Sequence, residues 1–117
     1  MRILICGGRD YTDYDKMWKV FSLSIAPLDG VTIIHGGADG ADKMAGNIAQ
    51  AFNLTVEDYP ISDEMWKEHG KWEAPKMRNQ DMLDTGIDLV YGFPGGPGTL
   101  DMKKRAKAEN VLVLDVW

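Results

Sequence analysis

Glycine is the residue through which this chain announces its chemistry. Three apolar runs each end in a glycine turn. Ile3-Leu4-Ile5-Cys6 leads into Gly7-Gly8, and Val31-Thr32-Ile33-Ile34-His35 leads into Gly36-Gly37. Asp88-Leu89-Val90-Tyr91-Gly92-Phe93 leads into Pro94-Gly95-Gly96-Pro97-Gly98-Thr99. A helix-like segment follows each turn. A main chain without Cβ atoms lies open to a ligand. The helix start behind it presents N–H groups with no intrahelical partner and a partial positive charge, which suits a phosphate. Three such turns on one edge of one sheet make a site the size of a nucleotide.

The third turn is the sharpest motif. Gly95, Gly96 and Gly98 free the backbone to wrap an anion, and Thr99 reads as a helix cap that also offers its hydroxyl. The plainer alternative for Pro94 to Thr99 is a tight strand-to-helix turn without a ligand. The second turn, Gly36-Gly37-Ala38-Asp39-Gly40-Ala41-Asp42, lacks the GxGxxG spacing of a dinucleotide fingerprint. There Asp39 or Asp42 either caps the next helix or accepts hydrogen bonds from a ribose. The first turn sets Arg9 and Asp10 beside Gly7-Gly8. Arg9 either pairs bidentately with a phosphate or forms a salt bridge to Asp10 or Asp13.

Arg78 and Asn79 fall early in a later helix, where the arginine either reaches across to the third turn or lies on the surface. Trp66 and Trp72 either stack on a base as a lid or pack their loop onto the domain. The two histidines, His35 and His69, lack metal-ligand spacing, so neither a metal nor a cofactor is expected, and His35 reads as a packed strand end. Cys6 has no base beside it and reads as a small buried hydrophobe. Lys103-Lys104-Arg105-Lys107 reads as a solvated helix face with its cations toward the helix C-terminus.

The elements that must carry these residues follow from periodicity. Residues 2–6 form a continuous apolar strand. Thr12 to Asp15 has capping-box spacing, with Asp in place of Glu. Met17, Trp18, Phe21 and Ile25 then mark a first helix, ended by Pro27 and Gly30. Residues 31–35 are the second strand. Asp42 to Asn53 reads as the second helix, with Asn53 as its C-terminal cap. Residues 54–59 form a weaker third strand. Residues 60–74 have no clean period and read as a long irregular loop. Pro75 starts the third helix, which runs to Gly86. Residues 87–93 are the fourth strand, the fourth helix begins near Thr99, and residues 111–116 form the fifth strand. This alternation predicts a single Rossmann-like α/β domain, a doubly wound parallel sheet over residues 1–117. Right-handed crossovers favour strand order 3-2-1-4-5, with the ligand crevice between strands one and four.

Composition narrows the partners. With 117 residues the chain reads as one domain. Its formal charge of -5 argues against a polyanionic partner. One cysteine suits a reducing cytosol. No apolar run approaches the ~20 residues that span a bilayer. The chain therefore reads as cytoplasmic, with no membrane partner.

With these residues assembled, the chain resembles the SLOG superfamily. These are Rossmann-like domains related to the DNA-processing protein DprA/Smf and to the LOG (Lonely Guy) enzymes. The resemblance is to the YspA/YpsA-related branch of small bacterial and phage proteins. It rests on GGRDYTD at 7–13, HGGADGAD at 35–42, MWKEHGK at 65–71, RNQDML at 78–83 and FPGGPGTLDM at 93–102. It implies a nucleotide or nucleotide-derived ligand, ADP-ribose-like among others, with the protein acting as a sensor or sequestering module. Its phosphate would lie on Gly95, Gly96, Gly98 and Thr99, with Arg9 and Arg78 adding charge-assisted bonds.

LOG enzymes cleave the N-glycosidic bond of nucleoside monophosphates, using an upstream arginine and the glutamate of a PGGxGTxxE motif. Arg78 resembles that arginine. Met102 occupies the glutamate position, and a thioether can neither steady an oxocarbenium-like centre nor take a proton from water. An enzyme reading must therefore draw its carboxylate from Asp101, Asp10 or Asp39. Asp101 is one residue away from that position, which is about 100° around a helix. DprA kinship implies single-stranded DNA binding as a further alternative, which the charge disfavours. LOG kinship also allows a homo-oligomer through the helix face around Trp18.

Overall fold

The computed structural model describes residues 1–117. Five parallel strands form one sheet in the order β3-β2-β1-β4-β5. They are β1 (Arg2–Cys6), β2 (Thr32–His35), β3 (Thr55–Asp58), β4 (Leu89–Gly92) and β5 (Leu112–Asp115). The helices are α1 (Tyr14–Val20), continued by a π-helical turn over Phe21–Ile25, then α2 (Ala41–Ala51), α3 (Asp63–Asp84) and α4 (Pro97–Ala108). The architecture is α/β and Rossmann-like, as the strand–helix alternation predicts.

Side chains alternate across a strand, and β1 uses both faces. Ile3 and Ile5 point to a core shared with Ile33, Tyr91, Met17, Phe21, Ala45 and Ile48. Leu4 and Cys6 point to the opposite core, with Ile34, Val90, Met82, Leu83, Met102 and Ala106. Thus α1 and α2 cover one face, and α3 and α4 cover the other. Burial of the thiol among these groups pushes the Cys6 pKa up to about 12, so it stays neutral and behaves as a hydrophobe.

Several local expectations are corrected. The cap of α1 is Asp13, whose carboxylate accepts from Lys16 N at 3.1 Å; Thr12 does not cap it. Residues 60–74 are mostly helical. Ser62 caps α3 by accepting from Met65 N at 3.1 Å, and Pro75 lies inside the helix. The pattern is hidden because Gly70 adopts φ 75°, ψ 177° and divides α3 in two. The second segment restarts with a new phase, so no single period of about 3.6 residues runs through both. The fourth helix begins at Pro97, the favoured place for proline, and Thr99 lies within its first turn. Asn53 does take the left-handed conformation that ends α2, at φ 58°.

Candidate functional site

The three glycine turns all leave the carboxyl ends of adjacent strands, β2, β1 and β4. They interlock before they can offer anything to a ligand. Gly8 N donates to Pro94 O at 2.8 Å, which joins the first turn to the third. Gly8 O accepts from Ala41 N at 3.1 Å, which joins the first turn to the start of α2. A Cβ on Gly7 would stand 2.6 Å from the Ala41 Cβ and 2.9 Å from the Phe93 Cβ. These glycines are present because backbones touch there.

The second turn is organised by a buried carboxylate. Asp42 Oδ2 accepts from Gly36 N at 3.1 Å and from Ala38 N at 3.2 Å. Asp42 therefore does not cap α2, where Gly40 stands at the cap position, and one of its two carboxylate oxygens is committed to the turn. Burial raises the Asp42 pKa, against the two amide donors and the charges of Arg78 and His35. Asp39 is not a cap either. Its exposed carboxylate pairs with Lys43 Nζ at 2.9 Å on the surface. Gly37 and Asp39 both fall outside the lining of the cleft described below.

Arg78 reaches the second turn, not the third. Its Nη1 donates to Gly36 O at 2.5 Å and to Tyr59 O at 3.3 Å. Burial lowers its pKa from the usual arginine value, while Asp42 opposes that shift. The neighbour, Asn79, does reach the third turn. Its Nδ2 donates to Gly98 O at 3.2 Å and to Asp101 Oδ2 at 3.1 Å. The same oxygen of Asp101 accepts from Arg105 Nε at 2.8 Å. Met102, at the position of the LOG glutamate, is 1% exposed and packs in the second core.

Above these braced turns lies a cleft of about 1020 Å³. The first and third turns form its floor. The N–H groups of Gly95, Gly96, Gly98 and Thr99 have no acceptor within the protein, and no side chain caps α4. Arg9 and Lys16 line one side and pair with no carboxylate, so the salt bridge from Arg9 to Asp10 or Asp13 does not form. The α3 side contributes Lys71, Pro75, Arg78 and Met82, spaced as one helical stripe. Reading residues 60–74 as a loop concealed Lys71 as part of that stripe; its spacing from Arg78 was the available signal.

His35 couples the second turn to pH. Gly37 N donates to His35 Nδ1 at 3.0 Å, so Nδ1 must carry a lone pair. Burial lowers the His35 pKa, with Arg78 acting in the same direction and Asp42 and Asp58 against. The unfolded chain takes up this proton near pH ~6.5, whereas the folded chain resists it. The contribution of His35 to stability is therefore complete above ~6.5 and declines as pH falls below it. The raised pKa of Asp42 acts oppositely, adding stability as pH falls toward the usual carboxylate range. We expect wild type to lose more melting temperature than His35→Gln between about pH 7.5 and about pH 5.5. Equal losses in the two proteins would remove His35 from this role.

The fold and this edge define a Rossmann-like α/β protein whose glycine turns converge on a cleft at the sheet's carboxyl end. The chain belongs to the YspA, cpYpsA-related SLOG family (YAcAr), whose profile matches residues 1–69. It is 32% identical over 123 residues to the Gene 61 protein of Mycobacterium phage D29, covering 97% of this chain and 94% of that protein. Its fold is similar to that of DNA processing protein A (DprA) from Streptococcus pneumoniae, with TM-score 0.77 and 14% identity over 97% of this chain. The chain spans about half the length of that structure, 49%. A UDP-N-acetylglucosamine 2-epimerase is similar in fold at TM-score 0.62 and 15% identity, over 98% of this chain and 32% of its own.

Proposed function

We propose that this protein binds a nucleotide or nucleotide-derived small molecule in the cleft, as a sensor or sequestering module. The observation that carries the reading is the set of four unpaired N–H groups, at Gly95, Gly96, Gly98 and Thr99, on the floor of an open cleft. Four unpaired donors around a helix start favour a phosphate. Arg9 adds a cation that forms no ion pair within the protein. The cleft also matches ligand sites in size, which run to about 1,000 Å³. Gly36, Asp42 and Arg78 are assigned to holding the architecture, and Asn79 to bracing the third turn. Calorimetry across nucleoside mono- and diphosphates, cyclic nucleotides and ADP-ribose tests the proposal. Saturable binding without turnover is expected, weakened about tenfold in Arg9→Ala. Failure of every phosphate-bearing probe to bind would end this reading.

A phosphoribohydrolase has one point in its favour: Asp101 lines the cleft. The Asn79 and Arg105 contacts hold its Oδ2 in place, so the other oxygen would have to face the anomeric carbon. Chromatography for free base after incubation with nucleoside monophosphates decides between hydrolysis and binding. Single-stranded DNA binding is less favoured. Lys103 and Arg105 pair with Asp115 and Asp101 at 2.7 and 2.8 Å, so the basic run on α4 is partly neutralised. No helix is long and apolar enough to cross a membrane.

A further inference from the structure

Three of the chain's four tryptophans, Trp66, Trp72 and Trp117, line the cleft. The fourth, Trp18, is packed against Phe52 at 4.7 Å between ring centroids and against Tyr14 at 5.9 Å. Trp72 and Trp117 are both exposed, at 73% and 87%, and of these two Trp72 is the one carried on a helix, α3. Its ring has a cation as neighbour, with Lys71 Nζ 5.1 Å from the centroid. Large aromatic side chains left in water along one cleft offer π-faces to a ligand.

The position of Trp72 gives its π-face a function. It stands in the first turn after Gly70, on the helix face that also carries Asn79. Asn79 touches Gly98 in the third turn, at the end where the unpaired amides lie. Seven residues of helix separate Trp72 from Asn79, a rise of about 10 Å. A phosphate–ribose–base unit bridges such a span, whereas a sugar phosphate ends short of it. Trp72 thus offers a π-face at one end of the cleft, and the amides offer donors at the other.

We infer that Trp72 is the platform on which the base of the ligand stacks, and that it makes the cleft select nucleotides over ribose phosphates. The inference rests on the phosphate site proposed above. Lys71 beside the ring holds the indole at the rim and adds positive charge there. Stacking tolerates any base, because every base has a π-face. The selection is therefore for the presence of a base, and the walls of the cleft set its identity.

Calorimetry with AMP, ADP-ribose and ribose 5-phosphate tests this on wild type, Trp72→Ala and Trp72→Phe. Wild type is expected to bind AMP about tenfold or more tightly than ribose 5-phosphate, the range a single stacked base contributes. Trp72→Ala should lose that advantage and keep its affinity for ribose 5-phosphate, and Trp72→Phe should recover most of it. Tryptophan emission should fall on adding AMP and stay constant with ribose 5-phosphate. Because Trp72 is exposed, its variants are expected to melt with wild type, which a thermal scan checks. If AMP binds Trp72→Ala as tightly as wild type, the platform is wrong while the phosphate site stands. If none of the three probes binds wild type, both fail together.

Discussion

Arg78→Ala is expected to destabilise the protein by about 2–4 kcal/mol and to reduce phosphate-ligand affinity more than tenfold. Arg78 touches no glycine of the third turn, yet both losses follow from its contacts. Its guanidinium fills the space that a side chain at Gly36 would need: a Cβ there would lie 2.5 Å from Nη1 and 2.6 Å from Cζ. Removing it strips the donor from Gly36 O and Tyr59 O. It also removes the cation that offsets the buried Asp42 carboxylate. Asp42 in turn holds the amides of Gly36 and Ala38, so the whole second turn loses its brace. Buried polar groups left without partners cost about 1–3 kcal/mol each. Arg78→Lys keeps the charge but replaces a planar fork with one ammonium, and should recover part of the loss. Urea denaturation of the three proteins provides the measurement. An Arg78→Ala variant within about 0.5 kcal/mol of wild type would contradict this account.

The second large effect is expected at the third turn, where only one of two neighbouring glycines should be sensitive to a side chain. A Cβ on Gly95 would collide with Thr99 Oγ1 and lie 2.7 Å from Gly8 N. The hydroxyl can swing aside, but the Gly8 amide is backbone and is already bonded to Pro94 O. Gly95→Ala therefore has to push the third turn away from the first. We expect a cost of about 1–3 kcal/mol, the range for overpacking, and loss of measurable ligand binding as the amides diverge. Gly96 meets nothing within 4 Å, and its φ of -100° is open to any residue. Gly96→Ala should thus stay within about 0.5 kcal/mol of wild type. Guanidinium melts and AMP calorimetry on both variants separate the cases. Equal behaviour of the two would mean that close contact between the turns does not organise the site.

Part of the candidate site was legible because its signals are local. A strand ending in glycines before a helix start is a short-range pattern, and all three examples fall where the pattern puts them. Pro97 and the glycines around it likewise mark the start of α4 within a few residues. The long α3 was not legible, because Gly70 resets the helical phase and Pro75 falls inside the second segment. The roles of individual charges were not legible either. Asp42 and Asp39 are three positions apart, and either satisfies the preferences of a helix start. Only the path of the turn makes one a buried brace and the other a surface partner of Lys43.

The sequence by itself determined the α/β class, the strand order and the edge of the sheet where the turns gather. Alternating apolar runs and glycine breaks act over a few residues, and the handedness of crossovers restricts how such units stack. Tertiary structure alone decided which groups are free. Gly8 N lies 86 positions from Pro94 O and bonds to it, Arg78 reaches back to Gly36, and Asn79 holds Gly98. A donor is available to a ligand only when no distant part of the chain has taken it. That is settled by which loops meet in space, and no local pattern of residue types encodes it.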